Sequence, residues 1–251
     1  MYQHTIIRKG IFIPCLIGVL SACSQTTDSS ALRADPESIA AAASQPVVLD
    51  GMPADSVRAV DVIRRSKSGV TRTGEIYLMR GLANVFSRGI DDMARQLRDR
   101  GYDAANFSYT EWRPIAEDIV RRASNKEVSY PLVIIGHSLG GNESSKFASY
   151  LADRKVPVAL VVAFDPVETG HVSNGVARVV NYYLPKSADN RILPKDGFAG
   201  ELDNVDVTAD PAITHTNVDK DPKFQAATLT SIANLTGKLR TRTVRKVRTE
   251  R

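Results

Sequence analysis

The chain has 251 residues, 43% apolar and 24% charged. This is ordinary for a globular core and enough for one α/β domain with terminal appendages. Two cysteines exclude a disulfide-stapled scaffold, and the lack of self-similarity at solenoid periods excludes a repeat array. The formal net charge is +5, but the terminal stretch GKLRTRTVRKVRTER holds seven Lys/Arg and one Glu, which is +6. The remainder therefore sums to −1, so the globular part is not basic.

At the N-terminus, MYQHTIIRKG carries Arg8 and Lys9, and the apolar run IFIPCLIGVL follows. A short basic segment before about ten apolar residues reads as an export signal, here residues 1–22. The run is too short to span a bilayer, which takes about 20 apolar residues. The next segment, LSAC, resembles the bacterial lipobox, in which the chain is cut before the cysteine and that cysteine is acylated. This implies a lipid on Cys23 and an envelope protein anchored by it. In such lipoproteins a residue other than Asp after the cysteine, here Ser24, favours the outer membrane, facing the periplasm. Cys15 then leaves with the signal and Cys23 is blocked, so no disulfide can form. Residues 23–46 are rich in Ser, Ala and Thr and read as a flexible tether.

The globular pattern is expected over residues 47–237. GEIYLMRG reads as a buried strand closed by glycine. In SRGIDDMARQLRDRG, Ile90, Met93 and Leu97 line one helix face, with Gly101 placed to stop it. YDAANFSYT predicts a second strand, and WRPIAEDIVRRAS a second helix with Pro114 in its first turn. YPLVIIG is a continuous apolar run, hence a central strand, and NESSKFASYLADR follows as a helix. VPVALVVAF and ARVVNYYL are further strands, and FQAATLTSIANLTGK is a closing helix. Alternation at this spacing predicts an α/β fold: a mostly parallel, doubly wound sheet with helices on both faces. In such sheets, sites form at the carboxyl ends of strands.

Gly136-His137-Ser138-Leu139-Gly140 fits G-x-S-x-G between a predicted strand and helix. An abrupt strand-to-helix turn crowds the positions two before and two after the serine, so both must be tiny. The serine is then held in a strained conformation with Oγ exposed above the sheet, a candidate nucleophile. A serine needs a base, and the chain has four histidines. His4 lies in the signal, and the side chain of His137 should point away from its neighbour's Oγ. His215, in a polar loop before the last helix, suits the order Ser…Asp…His; His171 is the alternative base. For the acid, Asp165 ends the strand after the nucleophile's helix, and Asp189, one strand later, is the alternative. The oxyanion donors are expected to be the backbone amides of Leu139 and of Gly81 and Leu82 in the loop after the first strand.

IIGHSLGG, with a downstream apolar strand ending in FDP, resembles the α/β-hydrolase superfamily of lipases, esterases and thioesterases, over roughly residues 74–238. The Ser138 and Asp165 pairing looks like pancreatic-type lipases. MRGLANVFSRGIDDMARQLRDRGYDA looks like the oxyanion strand, loop and first helix of small bacterial hydrolases, although RGL stands where many esterases have HG or HGG. Ser138 and His215 are 77 positions apart, which leaves no long insertion for a lid or cap domain. The resemblance implies a serine hydrolase acting on esters, with thioesters or amides open to the same parts. A non-catalytic envelope protein using the fold as a binding scaffold is the other reading. The expected partners are an ester or lipid-like small substrate and a membrane reached through the lipid anchor. The basic tail, residues 238–251, would touch anionic lipid or envelope polyanions. Nothing in the sequence has a nucleic-acid-binding pattern, a metal-ligand spacing or a cofactor motif.

Overall fold

A computed structural model describes residues 69–82, 87–185 and 189–239. The expected signal, tether, Cys23 and nearly all of the basic tail lie outside the described residues, as does the start of the expected domain. Eight strands and four α-helices are described: β1 (Glu75–Arg80), α1 (Arg88–Asp99), β2 (Asp103–Ser108), α2 (Trp112–Ser124), β3 (Leu132–His137), α3 (Leu139–Ala152), β4 (Leu160–Phe164), β5 (Gly170–Val172), β6 (Arg178–Tyr183), β7 (Ile192–Pro194), β8 (Glu201–Asp206) and α4 (Pro222–Leu235). Six strands form one sheet in the order β2-β1-β3-β4-β6-β8, and every pairing in it is parallel. β5 and β7 form a separate parallel pair. Among the described residues, no helix is long and apolar enough to cross a membrane.

Strand alternation builds the two sides of the sheet. From β1, Tyr77 and Met79 join a core with Ile134, Ile115, Ile119, Phe147 and Leu151, so α2 and α3 cover that face. Ile76 and Leu78 point the other way and pack with Ile90, Met93, Leu97, Leu229 and Ile232 of α1 and α4. This two-sided burial explains why β1, β3 and β4 are unbroken apolar runs. The expected doubly wound parallel sheet is what the chain forms.

The strands that the apolar pattern did not announce are the short pair and the outer edge. β8 has the sequence ELDNVD and is mostly exposed, paired to β6 along one side. Its register comes from backbone hydrogen bonds to β6, with Arg178 bridging to Glu201 at 3.6 Å and to Asp203 at 3.3 Å. Acidic side chains on an outer strand also discourage pairing with another chain. The closing helix starts and ends a little earlier than its apolar pattern suggested. Asp221 caps it by accepting from the amides of Lys223 and Phe224, and Pro222 takes the first position.

At the amino end of the sheet, Glu75 is buried and accepts two hydrogen bonds from Arg122, at 2.8 and 2.7 Å. It also accepts from the Tyr77 hydroxyl and from the Ser129 amide. Burial alone would raise the Glu75 carboxyl, but these donors outweigh it and hold it below its ordinary range. Removing the guanidinium would leave a buried carboxylate without its countercharge. Arg122→Met is therefore expected to lower unfolding stability by about 3–5 kcal/mol in urea titration, with no change in the chemistry at the opposite end of the sheet.

Candidate active site

Strand β3 ends at His137, and α3 begins at Leu139. The one residue between them, Ser138, has φ 59° and ψ −123°, a conformation that costs a non-glycine residue about 1–3 kcal/mol. Packing enforces it. A Cβ at Gly136 would overlap the Gly140 carbonyl, and one at Gly140 would overlap the Met79 carbonyl at the end of β1. The turn therefore needs glycine at both positions. Its result is that Ser138 Oγ stands at the carboxyl end of the central strand, at the amino end of α3.

His215 Nε2 lies 3.0 Å from Ser138 Oγ, and His215 Nδ1 lies 2.6 Å from Asp165 Oδ2. A carboxylate only accepts, so Nδ1 carries the proton and Nε2 offers its lone pair to the serine hydroxyl. Asp165 is fully buried just after β4, at φ 43°. Its amide donates to Tyr182 of β6, and its Oδ1 accepts from the Leu184 amide at 3.0 Å and from Asn190 Nδ2 at 2.8 Å. These bonds fix the carboxylate and leave Oδ2 facing the imidazole. His215 is half-buried in a loop of successive turns. That loop is pinned by Ile213 and Val218 in the core and by Asn217, which bonds the Thr214 amide and the Ala212 carbonyl.

The alternative residues lie elsewhere. Asp189 is exposed and paired with Arg191 at 2.8 Å, and those hydrogen bonds hold its carboxyl down to about 2. His171 is exposed on β5, in a groove of about 300 Å³ lined by Trp112 and Tyr150. Neither meets Ser138. Asn190, next to the alternative acid, is instead the residue that braces Asp165. No pattern in the sequence marked it, because the carboxylate it braces lies 25 positions earlier in the chain.

The expected oxyanion donors divide. Leu139 is the first residue of α3, where an amide has no partner within its own helix. Gly81 corrects the expectation: its amide already donates to Ser87 Oγ at 2.9 Å. What glycine provides at this position is proximity. A Cβ there would stand 2.8 Å from Ser138 Cβ and 2.9 Å from the His137 carbonyl. Leu82, half-buried, carries the next amide of the same loop.

His137 and His215 lie side by side, ring centroids 5.1 Å apart. His137 is fully buried, and burial pushes its pKa down to about 4, so it stays neutral across the physiological range. Another buried group is Asp219, in the His215 loop. Its Oδ2 accepts from the Ile90 amide at the start of α1 at 3.3 Å. Burial raises Asp219 from 3.8 to about 6. The folded protein therefore holds a proton there that the unfolded chain releases, and this group's contribution weakens as pH rises from 3.8 to 6. Asp219→Asn is expected to remove that slope. Its stability advantage over wild type should grow by roughly 2–3 kcal/mol across that interval. Urea titrations at pH 4 and pH 7 check this; an unchanged difference between the two proteins would contradict the assignment.

Residues 80–196 match the family described as lipase (class 3), a lipase family in the α/β-hydrolase superfamily. The match includes Ser138 and Asp165, whereas His215 lies beyond it. It supports lipase- or esterase-like hydrolase activity. No curated protein matches the chain. The parallel six-stranded sheet and this match together make the chain an α/β-hydrolase-fold protein, similar over residues 80–196 to the class 3 lipases.

Proposed function

We propose that this protein is a serine hydrolase that cleaves carboxylic esters, lipid esters among them, through an acyl-enzyme on Ser138. The observation that carries the reading is the hydrogen-bonded series from Ser138 Oγ through His215 to Asp165, mounted on a strained turn. As Ser138 Oγ attacks the ester carbonyl carbon, His215 Nε2 takes its proton, and the carbonyl oxygen becomes an oxyanion. The amides of Leu139 and Leu82 receive that charge. Asp165 stays ionised and stabilises the imidazolium, which returns the proton to the departing alkoxide. A water molecule then attacks the acyl-enzyme by the same route, and the carboxylic acid leaves. Every step uses groups of the chain and water.

The residues before the domain support an address. The basic segment, the apolar run and LSAC fit a protein cut before Cys23 and held by lipid at a bacterial envelope, with the outer membrane favoured. An enzyme held in this way meets lipid esters at the surface that anchors it. The basic tail would add contact with anionic headgroups or envelope polyanions.

Ser138→Ala is expected to abolish labelling by a fluorophosphonate probe and to lower kcat on p-nitrophenyl esters by about 10⁶-fold. His215→Ala should approach the same loss, while His171→Ala and Asp189→Ala stay near wild type. Folded wild-type protein that neither labels nor turns over esters of any chain length would refute the hydrolase reading. For the address, mass spectrometry of the mature N-terminus is expected to find an acylated Cys23; an uncut or unmodified terminus contradicts it.

A further inference from the structure

Ser87 directly precedes α1, where a serine hydroxyl ordinarily accepts from amides of the first helical turn and adds about 1 kcal/mol. Here it makes no such bond. The Ile90 amide is shared between the Ser87 carbonyl at 3.1 Å and, at 3.3 Å, Asp219 Oδ2 of the His215 loop. The Ser87 hydroxyl is used elsewhere, buried with 1% of its surface exposed. It accepts from the Gly81 amide at 2.9 Å and lies 2.9 Å from His137 Nδ1. On the far side of the ring, His137 Nε2 lies 2.7 Å from the His215 carbonyl oxygen.

Donor and acceptor roles in this series have one solution. A carbonyl oxygen only accepts, so Nε2 of His137 carries the proton and Nδ1 is the lone pair. Ser87 therefore donates its hydroxyl proton to Nδ1, and its oxygen is left to accept from Gly81. The series runs from the Gly81 amide through Ser87 and His137 to the backbone of His215. It joins two loops that arrive from opposite ends of the domain: the turn after β1 and the turns before α4. His137 can bridge them because its backbone is held beside the nucleophile at the end of β3. A proton on Nδ1 would reverse its bond to Ser87 and leave the buried hydroxyl hydrogen without an acceptor in this series, and the neutral state imposed by burial prevents that.

On the hydrolase reading above, we infer that Ser87 and His137 are positioning residues for ester cleavage: their relay holds the Gly81–Leu82 turn, and with it the Leu82 amide, in fixed relation to the loop carrying His215. Oxyanion stabilisation depends on donors already aimed when charge develops. The donor turn and the base share no covalent neighbourhood, so a noncovalent brace must set their relation. The histidine of G-H-S-L-G is that brace, and Gly81 spends its amide on the same task.

Ser87→Ala, His137→Gln and the double variant test this. His137→Gln offers a donor for the His215 carbonyl but no ring nitrogen for Ser87. Active sites are counted by fluorophosphonate titration carried to completion, so misfolded protein drops out of the rate. Each single variant is expected to lose about 10- to 100-fold in kcat per titrated site, less than or near the loss of a whole oxyanion donor, with KM within about threefold. The double variant should match the worse single variant, because both break one series. Ser87→Thr, which keeps the hydroxyl, should recover most of the rate. Unchanged kcat per titrated site in Ser87→Ala, or losses that multiply in the double variant, overturn the relay while leaving the hydrolase reading intact. A wild type that neither titrates nor cleaves esters overturns the hydrolase reading itself. Nitrogen-15 NMR of the histidine rings in the wild type needs no variant: a neutral His137 protonated on Nε2 at pH 7 is expected, and any other protonation state contradicts the relay.

Discussion

Where Gly136 meets Gly140, two backbone segments touch with no side chain between them, and a strand becomes a helix within one residue. The positive φ of Ser138 follows from that contact, as does the position of its Oγ at the carboxyl end of the central strand. The same closeness continues across β1, where Gly140 lies against the Met79 carbonyl and Gly81 lies against Ser138 itself. Three glycines thus bring the nucleophile, the start of α3 and the turn after β1 to one place. Strain of this kind persists only where neighbouring structure over-determines it, and the buried faces of β1, β3 and β4 provide that support.

The base and acid reach this point by different physical means. Asp165 comes from the end of an adjacent parallel strand, so the sheet sets its distance from Ser138. Its burial would be costly without partners, and the Leu184 amide and Asn190 supply them alongside His215. His215 comes from a loop with no sheet partner. Its position depends on Ile213 and Val218 in the core, on the bonds of Asn217, and on its carbonyl contact with His137. Asp219 ties the same loop to the first turn of α1. The loop that looks least regular is therefore among the most cross-linked.

Buried polarity is divided between the two ends of the sheet. At the amino end, Glu75, Arg122 and Tyr77 form a satisfied cluster that reads as structural. Burial pushes the Tyr77 hydroxyl well above its ordinary value, so it remains a donor. At the carboxyl end the polar groups are aimed at one another, Ser138, His215 and Asp165 in one series and Ser87 and His137 in another. This division matches the general behaviour of parallel sheets, whose sites form where strands give way to loops.

Much of the fold was legible in the sequence, because strands buried on both faces must be apolar throughout and helices covering them must have one apolar stripe. β8 was not, since an edge strand is held by backbone bonds that leave little trace in side-chain pattern. Of the candidate site, Ser138 was legible as a candidate from the steric needs of its turn, while strand ends and chain order favoured Asp165 and His215 and left Asp189 and His171 open. Ser87, Asn190 and Asp219 were not, because each acts on a residue far away in sequence. Gly81 was expected to offer both an amide and a close backbone approach; the approach is there, while the amide is engaged by Ser87. By itself, then, the sequence determined the apolar strands and the helices, the turn at Ser138 and the residue types able to carry the chemistry, all of which depend on local pattern. Only the tertiary structure decided which aspartate and which histidine meet the serine, and how the neighbouring histidine is employed. Those choices depend on hydrogen-bond partners that burial requires and that only packing brings within reach.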